Sequence, residues 1–60
     1  MAEPQFEVYE DQAVEWRWRF RASNGRIIAD SSEGYKNKQD CVHGTGLVKR
    51  EAVGAKIVYK

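Results

Sequence analysis

Apolar and charged residues alternate strictly through EWRWRFRA, residues 15–22. Trp16, Trp18, Phe20 and Ala22 fall on one side, and Glu15, Arg17, Arg19 and Arg21 on the other. A period of two over a run this rich in aromatic residues predicts a half-buried β-strand. Phe6 and Val8, alternating with Glu7 and Tyr9, predict a shorter strand before it, joined through a loop at Asp11–Val14. Ser23-Asn24-Gly25-Arg26 follows at once. Asn-Gly between two β-patterned runs predicts a two-residue hairpin turn with positive φ at both residues, so that Ile27–Ser31 returns as a third strand.

That turn sets a register. On the aromatic face it places Ala22 opposite Ile27, Phe20 opposite Ala29 and Trp18 opposite Ser31. On the other face Arg21 meets Ile28, Arg19 meets Asp30 and Arg17 meets Ser32. Aligning Phe6 and Val8 with the aromatic face brings Glu7 beside Arg17 or Arg19. The alternation breaks at Ser31–Tyr35, where a turn is expected, and Asn37 then suits the N-cap of a helix, with Asp40 near its positive end. Cys41, Thr45, Val48 and Ala52 share one helical stripe. Gly44 and Gly46 each cost that helix about 1 kcal/mol against Ala, so it needs the sheet beneath it. Gly54 suits a C-terminal cap, and Ala55–Lys60 alternates again as a fourth strand. The expected fold is α+β: a β-β-β-α-β unit whose antiparallel sheet carries one helix. Its expected core is Phe6, Val8, Trp16, Trp18, Phe20, Ile27, Ala29, Cys41 and Val48.

Size changes the picture. The 60 residues are expected to form one domain, 1–60, ordered over about 5–59. A domain this small buries only about 60% of the surface of its unfolded chain. Below roughly 70–80 residues a staple is usually needed. One cysteine and one histidine exclude an internal disulfide and a zinc site of the usual four Cys/His ligands. Association with a second copy is the staple that remains. A single unpaired cysteine fits a reducing compartment, so a cytoplasmic location is expected. MAEPQFEVYE lacks the basic-then-apolar pattern of a signal peptide, and no apolar run approaches the ~20 residues of a membrane span.

Charge is uneven. The net charge is +1, yet residues 1–15 hold five acidic groups and no basic one, while the remainder holds all ten Lys and Arg against four acids. Arg17, Arg19 and Arg21, with Lys36 and Lys38, are therefore the candidate contacts for an anion or nucleic acid. Strict alternation opposes that reading, because it sends the rings that would stack bases to the opposite face. Glu7 and Asp30 also offer the arginines local partners. Cys41 and His43 stand two apart on the expected helix and point about 200° away from each other, which does not suit a catalytic dyad. Ser31, Ser32 and Gly34 before the helix lack phosphate-loop spacing and read as a plain connecting turn. No catalytic set, metal site or cofactor is expected. The residues read best as a homodimeric, non-enzymatic binding or structural module. The alternative is weak, sequence-independent nucleic-acid binding through the arginine-lined face.

FEVYED at 6–11, EWRWRFRASNG at 15–25, IIADSSEGY at 27–35, KQDC at 38–41 and VKREA at 48–52 resemble the YegP-like family, a small domain with no established activity. The resemblance implies that single-repeat members form homodimers equivalent to a two-repeat chain, with their C-terminal strands exchanged. On that basis Ala55, Ile57, Val58 and Tyr59 would lie at the dimer interface. The chain departs from the family pattern at Val14, where Gly is usual, and at Ser32, Thr45, Gly46 and Val53.

Overall fold

The computed structural model describes residues 3–60. Met1 and Ala2, part of the expected 1–60 domain, lie outside the described residues. Three strands, β1 (Gln5–Glu10), β2 (Trp16–Arg21) and β3 (Ile27–Asp30), form an antiparallel sheet in sequence order. One helix, α1 (Lys38–Glu51), packs on one face and ends in a 3₁₀ turn at Ala52–Gly54. β1 pairs with β2 without interruption, and Phe6 stands opposite Phe20, Glu7 opposite Arg19 and Val8 opposite Trp18. Alternation then sorts the rings to the helix side. Phe6 meets Trp18 edge-on at 5.7 Å between centroids and Phe20 at 4.9 Å.

The β2–β3 hairpin differs from the expected two-residue turn. Gly25 N–H donates to the Ala22 carbonyl (2.9 Å) and Ala22 N–H to the Arg26 carbonyl (2.8 Å), so the loop is Ser23-Asn24-Gly25. Only Gly25 takes positive φ there, at 89°. Asn24 instead accepts the Arg26 N–H on its side-chain oxygen (2.9 Å). This is the three-residue loop with a bulge at the glycine. The extra loop residue moves Ile27 opposite Arg21 rather than Ala22. A second bulge at Ile28 restores the expected pairs, Phe20 with Ala29 and Arg19 with Asp30.

Beyond β3 the chain stays attached to β2. Ser31 N–H donates to the Trp18 carbonyl (2.8 Å), and the buried Ser31 hydroxyl accepts the Trp18 N–H (3.2 Å). Trp16 and Tyr35 then exchange backbone hydrogen bonds in an isolated bridge. Asn37 caps α1 by accepting the Asp40 N–H (3.1 Å). Gly44 is needed where it is: a Cβ there would stand 2.7 Å from the Tyr35 phenol oxygen.

Burial is sparse. Trp18 (8% exposed) and Cys41 (fully buried) are the buried apolar side chains among the described residues. Phe6, Val8, Trp16 and Phe20 are half-buried. Ile27, Ala29 and Val48, expected in the core, are exposed in the single chain. The reason is coverage. α1 packs on β2 and β1 and makes no contact with β3, and the hairpin bulge carries Ile27 to the side of Arg21. Ala55–Lys60, expected as a fourth strand, has no strand pairing in the single chain. It follows the 3₁₀ turn in extended geometry at Ala55 (φ −75°, ψ 139°).

Val14 sits in the β1–β2 loop at φ 61°. A β-branched residue in this left-handed region is strained, by about 1–3 kcal/mol. Val14→Gly is expected to raise unfolding free energy by about 1 kcal/mol or more, read from urea denaturation. No gain would contradict the strain. Gly46 has open space where a Cβ would go, so Gly46→Ala is expected to add about 1 kcal/mol through helix propensity. Gly44→Ala should gain less or lose stability, since it meets the Tyr35 ring. Equal gains at both positions would contradict that packing.

Candidate functional site

The two faces of the sheet are chemically unlike. On the face away from α1, the arginine row is held by carboxylates. Arg19 Nε donates to Glu7 Oε1 at 2.6 Å, and Arg21 Nε donates to Glu7 Oε2 at 3.1 Å. Arg21 also reaches the Gly25 carbonyl (2.7 Å), and Gln5 donates its side-chain amide to Glu7 (2.6 Å). Arg17 Nε donates to Asp11 at 2.5 Å. Asp11 in turn accepts the Ala13 and Glu15 backbone N–H groups (2.9 and 3.0 Å), which builds the β1–β2 loop around it. The Arg19 guanidinium lies 4.7 Å from the Tyr9 ring centroid, a cation–π contact.

These contacts set the charge states. Hydrogen bonds from Arg21 first, then Arg19 and Gln5, hold the Glu7 carboxyl down at about 2. Arg17 foremost, then the Glu15 backbone N–H, lowers Asp11 below its usual value. Alternation alone placed Glu7 beside Arg17 or Arg19, and the observed partner within that pair is Arg19. The reach of Glu7 to Arg21, and the role of Asp11, depend on side-chain geometry and loop shape that alternation does not specify.

The remaining candidates are dispersed. Lys38 lies with its ammonium 5.3 Å from the Trp16 ring centroid, beside the helix start. Lys36 is exposed in the preceding turn. Neither is joined by an ion pair or hydrogen bond to Arg17, Arg19 or Arg21 among the described residues. Cys41 is sealed in the interface between helix and sheet, where burial pushes its thiol up, partly offset by Thr45. His43 is exposed. Among the described residues no group of three or more His, Cys, Asp or Glu side chains is placed to hold a metal ion.

The face toward α1 carries a concavity. An open groove of about 700 Å³ runs between the sheet and the C-terminal half of the helix, lined by Phe6, Trp18 and Phe20 below and by Thr45, Val48 and Ala52 above. It was not foreseen from the sequence, because it arises from where the helix crosses the strands. Past the helix, Ile57 and Tyr59 are 82% and 91% exposed, Val58 is 67% exposed, and Ala55 is also exposed. The expected interface residues are therefore unburied in one copy, next to a groove that is also unfilled. No helix is long and apolar enough to cross a membrane among the described residues.

Fold and groove together define a small α+β module with an unfilled apolar layer. Comparison with known proteins gives its family. The family described as "Domain of unknown function (DUF1508)" matches residues 11–58. A UPF0339 protein of Agrobacterium fabrum is 49% identical over 53 residues, covering 88% of this chain and 84% of that protein. One from Methanosarcina acetivorans is 47% identical over 53 residues, covering 88% and 90%. A solution structure of a protein from Haloferax volcanii superposes with a TM-score of 0.85 at 43% identity, covering all of both chains. The chain belongs to the DUF1508 family, the UPF0339 proteins, which is the YegP-like group its motifs resemble.

Glu7 gives this face a pH signature. Its carboxyl titrates near 2 in the folded chain, below the unfolded value of 4.5. The stability it contributes is therefore present above the unfolded value and lost as pH falls through the folded one. Acid titration of the unfolding free energy is expected to fall over that window, and Glu7→Gln should flatten the fall. An unchanged profile in the variant would contradict the bridging role.

Proposed function

We propose that this protein works as a homodimeric binding or structural module, without enzymatic chemistry, in which the tail of one copy fills the groove of another. The observation that carries this reading is the pairing of an open 700 Å³ apolar groove with an adjoining tail whose Ile57 and Tyr59 are exposed. Fully burying a side chain such as Ile is worth about 1.5–3 kcal/mol. A domain of this size has no surplus with which to leave several such groups in water. The tail is extended and alternating, and both sheet edges are open, so strand addition supplies backbone hydrogen bonds as well as burial.

A longer relative has the length for a comparable arrangement within one chain. A UPF0339 protein of Stutzerimonas stutzeri is 49% identical over 47 residues, which are only 41% of its length. That leaves room in one chain for a second unit of similar size. The reading without enzymatic chemistry is supported by the one thiol being sealed while the one imidazole is exposed. A cytoplasmic location suits a single unpaired thiol. Nucleic-acid binding by Arg17, Arg19 and Arg21 is the weaker reading, because Glu7 and Asp11 already engage all three guanidinium groups and offset most of their charge.

Sedimentation equilibrium should give twice the chain mass at micromolar concentration, and the melting temperature should rise with protein concentration, as linked folding and association require. Ile57→Asp should shift the mass to that of one chain. A single-chain mass with a concentration-independent melt would overturn the reading.

A further inference from the structure

Asn24 and Gly25 meet at the tip of the β2–β3 hairpin, and both are exposed to water. The carboxamide carbon of an asparagine and the main-chain nitrogen of the next residue can close a five-membered ring. A glycine in second place leaves that nitrogen with no side chain to shield it. We propose that Asn24 is a site of spontaneous deamidation, and that the closed hairpin loop governs how fast it reacts. The chain's other asparagine is followed by a lysine, Lys38, and its side-chain oxygen caps α1, so Asn37 serves as the internal comparison.

The chemistry needs only water. The Gly25 N–H gives its proton to a base in solvent, the Gly25 nitrogen bonds to Asn24 Cγ, and the Cγ–Nδ2 bond breaks as ammonia leaves. Water then opens the cyclic imide at one of its two carbonyl carbons. Opening at Cγ restores the main chain and leaves an aspartate side chain. Opening at the former main-chain carbonyl leaves the chain running through Cγ, one methylene longer.

The loop holds both reacting atoms in other bonds. Gly25 N–H donates to the Ala22 carbonyl (2.9 Å), which ties the attacking nitrogen inward across the turn. The Asn24 side-chain oxygen accepts the Arg26 N–H (2.9 Å), which commits the carboxamide to a different partner. Arg21 Nη1 donates to the Gly25 carbonyl (2.7 Å) and fixes the peptide unit that follows. Ring closure requires the nitrogen and Cγ to leave these partners together. Against that, the tip is weakly anchored. β3 is four residues long with every residue exposed, and α1 makes no contact with it. Segments with so few apolar contacts open locally at low cost, without unfolding the domain. Asn24 therefore reacts through the open tip.

The two products differ in consequence. An aspartate side chain still accepts the Arg26 N–H, and its charge falls in the loop that Arg21 reaches, so the hairpin persists. The β-linked product lengthens the main chain inside the loop. The turn bond from Gly25 to Ala22 is then lost, together with the spacing that sets Ile27 opposite Arg21.

The full chain is incubated at mildly alkaline pH in native buffer and, in parallel, in guanidinium chloride. Peptide mapping by mass spectrometry follows replacement of the amide NH2 by OH at Asn24 and Asn37. In denaturant Asn24 should react well ahead of Asn37, and in native buffer it should react about tenfold slower than in denaturant. Gly46→Ala, which stabilises the helix far from the hairpin, should leave the native Asn24 rate unchanged. Asn24→Asp should melt with the wild type, while the β-linked product, isolated by chromatography, should exchange its Ile27–Asp30 amides faster. An Asn24 no faster than Asn37 in denaturant overturns the site. Equal rates in the two buffers, or a native rate that falls with the added stability of Gly46→Ala, overturns control by the loop.

Discussion

The constraint on which the structure depends is the shortage of apolar cover over the sheet face that carries Trp18. One helix of 14 residues lies against three strands, and it reaches only two of them. Trp18 and Cys41 sit where helix and sheet touch and are sealed. Moving along the same face toward the hairpin, Phe20 is half-buried and Ala29 is exposed. Nothing in the helix sequence remedies this, because Gly44 and Gly46 give it no side chains at two positions and Gly44 is reserved for the Tyr35 ring. The apolar groups that would complete the layer are present in the chain, but they lie beyond its last helical turn, in a tail that the single copy does not fold back.

The outer face solves the problem of an uncovered sheet by other means. Its side chains are long and charged, with Glu7 bridging Arg19 and Arg21 and Asp11 holding Arg17. Ion pairs at a solvated sheet face contribute little to stability by themselves, so they are not what holds the domain together. Their larger contribution is to register. A slip of one residue between β1 and β2 would move Glu7 from Arg19 to a ring on the opposite face and send Phe6 into water. Salt bridges on one face and stacked rings on the other thus enforce the same alignment from both sides.

Features set by local pattern were legible in the sequence. The alternation of Trp16, Trp18 and Phe20 and the Asn37 cap follow from residue type and spacing, whereas the Phe20–Ala29 and Arg19–Asp30 pairs match the expected register only because the bulge at Ile28 offsets the longer loop. The loop length at Asn24-Gly25 was not legible, since the same dipeptide serves a two-residue turn and a three-residue loop. That one residue decides where Ile27 points. Val14 could be flagged only as a departure from the usual glycine, and the structure supplies the reason: the loop holds it at positive φ. The groove was the least legible feature. It depends on which strands the helix crosses, and no periodicity within the helix encodes that. The tail was recognisable as β-patterned, yet pattern alone does not say which molecule provides its neighbour.

The proposed dimer makes a single demand: Ile57 and Tyr59 of one copy must touch Phe6, Phe20 or Val48 of another. Isotope-filtered NMR on a mixture of labelled and unlabelled chains observes contacts between copies and nothing else. The account predicts cross-copy nuclear Overhauser effects from the Ile57 methyls and the Tyr59 ring to those groove side chains. If the tail shows contacts to the groove only within its own chain, or none in a sample where both copies are folded, the account is contradicted.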